Sequence, residues 1–108
     1  MSVEEILEFV GEWFAGVGGA SLKLPSRWFG RPYDNQHRLT GASVSAGRLL
    51  LELDRSLLLT LAHPSSVAVE GGCQRIAGFA HGSLDWDDFG GSASHLETFG
   101  AGVVEFHA

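Results

Sequence analysis

The sequence lacks the marks of a disulfide-bonded, membrane-spanning or exported protein. Its single cysteine, Cys73, excludes an intramolecular disulfide and is typical of a cytoplasmic protein. No apolar run approaches the roughly 20 residues needed to cross a bilayer. The first residues include Glu4, Glu5 and Glu8, where a signal peptide would carry positive charge. We therefore expect a cytoplasmic protein without a membrane partner.

Positive charge is also scarce. The chain has 7 Lys and Arg residues against 13 Asp and Glu residues, which gives a formal net charge of −6. The cations are scattered and form no basic run. Because an acidic surface repels a phosphate backbone, nucleic acid is not an expected partner.

The sequence does contain enough apolar residues for one hydrophobic core. Its 108 residues, 44% of them hydrophobic, predict a single domain over residues 1–108. A domain of this length buries about two-thirds of the surface that its unfolded chain exposes, so it can fold without covalent cross-links. The 15 glycines favour many turns over long helices.

The most strongly patterned stretch covers residues 48–62. Successive side chains of a strand point to opposite faces, and here the alternation gives each of two strands a row of leucines: Leu49, Leu51 and Leu53, then Leu57, Leu59 and Leu61. The two rows share a face only if Leu53 pairs with Leu57 and the other leucines follow in step. That register predicts a β-hairpin whose loop is residues 54–56.

Residues 2–15 are predicted to form a helix. Ser2 and Glu5 have the spacing of a capping box, which satisfies unpaired N–H groups at the helix start. The apolar residues recur at helical spacing and form one stripe: Val3, Ile6, Leu7, Val10, Trp13 and Phe14. Glu4, Glu8 and Glu12 share the far side, which is either a solvated face or a docking face for a basic partner.

The region from about residue 21 to residue 108 reads as six to eight short strands separated by turn signals. Together with the first helix, this pattern predicts an α+β fold. We expect an N-terminal helix followed by a mostly antiparallel small β-barrel or sandwich. The helix is expected to plug an open end or to cover one face.

Residues 27–37, RWFGRPYDNQH, form the best candidate for a binding surface. Arginines supply forked donors, and exposed aromatics supply rigid contact area of the kind found in interface hot spots. The candidate binding residues are Trp28, Arg31, Tyr33, Asp34, Asn35 and His37. A purely structural role is the alternative: Trp28 in the core, Tyr33 anchoring the loop through its hydroxyl, and Asp34 with Asn35 in a turn.

Metal and catalytic sites have weaker support. The five histidines are never within four residues of one another, whereas zinc sites usually contain a close ligand pair. His95 with Glu97, and Glu105 with His107, would converge only if their two strands paired. We therefore predict no metal site and no cofactor and assign no catalytic residue, although Asp34 and His37 could share a loop for acid–base chemistry.

These observations lead to two functional hypotheses. The first is a small cytoplasmic binding module without catalysis, which engages a protein partner or forms a homodimer through the surface around residues 27–37. The alternative is a small-molecule-binding β-barrel, with minor acid–base enzyme activity as an extension. Its polar candidates are Asp34, His37, His63 and His81, and it requires an internal cavity.

Overall fold

The computed structural model describes residues 1–30, 35–88, 91 and 93–108. Within these residues, one helix precedes nine strands. In chain order, the elements are α1 (Val3–Val17), β1 (Ser21–Lys23), β2 (Leu39–Ser45), β3 (Arg48–Leu53), β4 (Leu57–Ala62), β5 (Ser66–Glu70), β6 (Cys73–Ala77), β7 (His81–Asp87), β8 (Ser94–Gly100) and β9 (Val103–His107). The predicted α+β class is confirmed.

The strands form two antiparallel sheets with a sandwich-like arrangement. One sheet has four strands in the order β1-β9-β6-β5, and the other has five in the order β2-β3-β4-β7-β8. The expected number of six to eight strands is too low. The last two strands, β8 and β9, belong to different sheets.

The sheets meet at a corner where a long hairpin passes from one sheet to the other. Ser65 N donates to Ala77 O and Ala80 N donates to Ala62 O, both at 3.0 Å. Gly78, with φ of +77°, lies at this bend, because glycine adopts left-handed φ values without steric cost. β6 ends at Ala77, just before this bend.

Neither sheet closes into a barrel within the described residues, so the barrel form of the prediction is wrong and the sandwich form holds. A closed barrel would need the edge strands β2 and β5 to pair with each other, and α1 contacts both of them. The helix therefore fills the gap that these two strands would have to close by pairing. Of the two placements expected for the helix, this one corresponds to covering a side of the sandwich.

The central hairpin has the predicted register. Leu53 pairs with Leu57, Leu51 with Leu59 and Leu49 with Leu61. All six of these leucines are buried, with relative exposure of 4% or less. The alternation therefore determines which face turns inward, since a slip of one residue would expose a whole row.

The start of α1 is also as predicted. Ser2 caps the helix, and its side chain and that of Glu5 form the reciprocal hydrogen bonds of a capping box. The helix runs two residues further than expected and ends at Val17, where Gly18 N donates to Phe14 O at 2.8 Å. Its buried face consists of Ile6, Val10 and Phe14.

The two sheets and the helix enclose one apolar cluster. Phe14 from α1 meets Phe106 from β9 edge to face, with ring centroids 4.9 Å apart. Among the described residues, no helix has the length and apolar character needed to cross a membrane.

Candidate functional site

The described residues of the 27–37 segment are 27–30 and 35–37. Arg31, Tyr33 and Asp34, three of the predicted binding residues, lie outside the residues that the structure describes. The other three, Trp28, Asn35 and His37, differ sharply in exposure, since Trp28 is 46% exposed and both Asn35 and His37 are buried.

Trp28 lies over the outer face of the four-stranded sheet. Its ring contacts the imidazole of His107 on β9, with centroids 4.8 Å apart. The ammonium of Lys23 on β1 lies 5.5 Å from the Trp28 ring centroid, within the range of a cation–π interaction. The indole is therefore held on two sides while nearly half of the residue remains exposed.

Phe29, the next residue, packs toward the five-stranded sheet, away from the face that carries Trp28. Its ring meets Trp86 of β7 edge to face at 5.2 Å and His37 at 5.9 Å. Arg27 also reaches the second sheet, where its guanidinium forms two hydrogen bonds to Glu97 of β8, of 3.1 and 2.6 Å. Residues 27–29 thus cross the side of the sandwich where β1 and β8 are the edge strands.

Asn35 and His37 have structural contacts. The Asn35 carboxamide accepts from Leu22 N at 3.1 Å and donates to Leu22 O at 3.0 Å, which satisfies the edge of β1 as another strand would. The backbone of His37 exchanges two hydrogen bonds with Ala20, and its Nδ1 lies 3.4 Å from an Asp54 carboxylate oxygen. Both side chains are therefore buried, in contrast to Trp28.

Two concave regions flank the segment. A groove of about 420 Å³ lies beside Trp28 and is also lined by Ser21, Gly30, Asn35 and Gln36. A larger cavity of about 750 Å³ lies on the Phe29 side, where its lining includes His37, Leu57, Trp86, Asp87 and Asp88. His37 is the member of the predicted polar set that lines this cavity, whereas Asp34 lies outside the described residues.

A second set of polar side chains lies under Trp28. Cys73 of β6 pairs across the sheet with His107 of β9, and Glu105 is two residues from His107 on the same face. Cys73 Sγ is 3.5 Å from Glu105 Oε1 and 3.5 Å from His107 Nε2. The His107 Nε2 to Glu105 Oε1 distance is 2.7 Å. We call these three residues the Cys73–Glu105–His107 cluster.

The electrostatics of the cluster keep the sulfur protonated. Burial raises the pKa of the Cys73 thiol, and its hydrogen bond to the Glu105 carboxylate raises it further. Burial also acts to raise the pKa of Glu105, but hydrogen bonds from His107 and Cys73 outweigh it, and the pKa is lowered below its ordinary value. The isolated cluster is therefore a thiol beside a carboxylate.

This arrangement does not resemble a nucleophilic triad. In a triad, the base accepts from the nucleophile through one ring nitrogen while a carboxylate holds the other nitrogen. In this cluster, the thiol and the carboxylate both approach the same nitrogen, Nε2 of His107. A raised thiol pKa also disfavours the thiolate that attacks substrates.

The cluster differs from what the sequence predicts, although the spacing of Glu105 and His107 carries part of its signal. Alternation places Glu105 and His107 on one face of a strand, and the sequence offers His95 and Glu97 as their partners. The structure places those two pairs in different sheets, on β9 and β8. The actual partner, Cys73, could be identified only from the pairing of β6 with β9.

Comparisons with protein-family models, with curated proteins and with solved structures found no match. Function is therefore inferred from the residues and their geometry.

Proposed function

We propose that this chain is a small cytoplasmic binding module without catalysis, which engages a protein partner or a second copy of itself through the surface around Trp28. The observation that supports this function best is the exposure of Trp28, 46% of whose surface is accessible. Tryptophan is among the residues most enriched in interface hot spots, because its large ring removes much apolar area from water on binding.

The surroundings of Trp28 support the same function. Contacts with His107 and Lys23 restrain the indole before binding, so a partner would lose little additional side-chain entropy in ordering it. The groove of about 420 Å³ beside the ring offers space for a side chain of the partner. Arg31 and Tyr33 remain predicted members of this surface.

The first experiment is light scattering coupled to size exclusion over a range of concentrations. We expect the wild-type mass to rise toward that of a dimer, and Trp28→Ala to shift this rise to at least about 10-fold higher concentration, since hot-spot truncations cost roughly 2 kcal/mol or more. Leu96→Ala is the matched control, because Leu96 is 67% exposed but lies on β8 of the other sheet.

A monomer at every concentration would reject self-association and leave the protein partner. A photo-crosslinking amino acid at position 28 should then capture a defined partner in cells, while the same group at position 96 should not. Failure of both experiments would overturn the proposed function. Circular dichroism of each variant would separate a loss of binding from a loss of fold.

Small-molecule binding is the second candidate, favoured by the cavity of about 750 Å³ beside Phe29 and Trp86. Apolar walls with a few polar groups are typical of ligand sites, and this cavity combines two aromatic rings with His37 and two aspartates. In nuclear magnetic resonance screening with small aromatic compounds, a ligand there would shift the Trp86 indole N–H signal and leave that of Trp28 in place.

A further inference from the structure

We infer that the Cys73–Glu105–His107 cluster is a binding site for a divalent transition-metal ion of the zinc class. Each residue offers one ligand atom, and the three atoms lie within 4.8 Å of one another. This site goes beyond the proposed function and does not depend on it. It also departs from the expectation, drawn from the sequence, that the chain has no metal site.

The distances fit tetrahedral coordination. Zinc binds sulfur at about 2.3 Å and nitrogen or oxygen at about 2.0–2.2 Å, which sets neighbouring ligand atoms about 3.4–3.6 Å apart. Cys73 Sγ already lies 3.5 Å from both Glu105 Oε1 and His107 Nε2. Only the 2.7 Å hydrogen bond between His107 and Glu105 has to open, by roughly 0.7 Å on the same geometry.

The chemistry of the three ligand atoms determines which metal ions the site favours. Thiolate and imidazole favour zinc and its neighbours over calcium or magnesium, which prefer oxygen ligands. Binding releases the Cys73 thiol proton to solvent, forms the metal–sulfur bond, and requires an unprotonated Nε2 on His107. One thiolate and one carboxylate then balance the two positive charges of the ion.

The sheet holds the ligands in place. Cys73 and His107 are directly opposed on adjacent antiparallel strands, and Cys73 is 8% exposed. Trp28 contacts the His107 ring from outside, which restricts its rotation. Three protein ligands leave the fourth position of the ion to water, as in zinc sites with an open coordination position.

The test is binding of zinc alone by isothermal titration calorimetry, with any affinity tag removed and a non-chelating reductant present. Cobalt substitution supplies the second readout, because thiolate coordination produces a sulfur-to-cobalt charge-transfer absorption. We expect one metal ion per chain and this absorption band. Cys73→Ser and His107→Gln should each weaken binding by roughly 100-fold or more, since loss of even outer-shell partners costs about 10–100-fold.

His95→Gln is the matched control. His95 and Glu97 repeat the spacing of His107 and Glu105 on β8, but the strand opposite them supplies Trp86 and Leu84 where a cysteine would be needed. This variant should bind zinc as the wild type does. The inference is overturned if the wild type binds no stoichiometric metal, or if the cysteine and histidine variants retain full affinity. Should Cys73→Ser fail to fold, His107→Gln still decides the outcome.

Discussion

At the residue scale, Gln74 is the most unusual side chain of the interior. It is fully buried on the inner face of β6, and neither its carboxamide oxygen nor its nitrogen has a hydrogen-bond partner among the described residues. Its neighbours across the sheet are Phe106 and Val69. Burial of an amide without partners is unfavourable, because the lost hydration is not replaced.

We therefore predict that Gln74→Met stabilises the protein. Methionine has a similar length and no unsatisfied polar group, and the expected gain in the free energy of unfolding is about 1–3 kcal/mol. Urea denaturation measures this gain. Gln36→Met is the control, because Gln36 is exposed and hydrogen-bonds to Ser21. A loss of stability in Gln74→Met would mean that the amide is satisfied by groups such as buried water.

At the element scale, α1 depends on its capping box. Glu5 accepts a hydrogen bond from Ser2 N at 2.9 Å, and Glu5 N donates to the Ser2 hydroxyl at 3.1 Å. The backbone and side-chain hydrogen bonds with Ser2 lower the pKa of Glu5 below its ordinary value of 4.5. The carboxylate is therefore the form that the folded helix favours.

The sign of the pH dependence follows from that lowered pKa. A depressed folded-state pKa adds stability above the unfolded pKa, and this stability is lost as pH falls through the folded value. We expect Glu5→Gln to unfold more easily than the wild type at neutral pH, and the difference to vanish in strong acid. Thermal melts across pH measure it, with Glu12→Gln as the control. A difference that grew toward acid would contradict the prediction.

At the scale of the whole molecule, the two sheets are connected by a bent hairpin, by α1 and by an ion pair, each at a different edge of the sandwich. The bent hairpin connects them by backbone hydrogen bonds at one corner. The helix joins β2 and β5, and the Arg27–Glu97 ion pair links the segment after β1 to β8. Arg27 and Glu97 are 44% and 32% exposed, so solvent weakens their attraction.

A double-mutant cycle with Arg27→Ala and Glu97→Ala measures this link. We expect a coupling energy of about 0.5–1 kcal/mol that decreases at high salt, because the pair is bidentate but partly exposed. The pair His95 and Asp88, which lies within the region of β7 and β8, provides a local comparison. Coupling near zero at low salt would show that packing of Phe29 on Trp86, without the ion pair, holds this side together.

Elements with local signals can be predicted from the residues alone. Period-two leucines determined the hairpin and its register, because any slip would expose a buried row. Ser2 and Glu5 determined the start of α1, since capping needs only residues three apart. Within the candidate site, the sequence also identified the segment that carries Trp28.

The pairing of strands, in contrast, is known only from the folded protein. Alternation assigns each side chain to a face but does not name the partner strand, so sandwich and barrel remained equally consistent with the pattern. For the same reason, the sequence could not separate Trp28 from Phe29, which lie on opposite sides. Nor could the contact between Cys73 and His107 be predicted, because these residues are 34 positions apart in the chain. They meet only once β6 and β9 have paired.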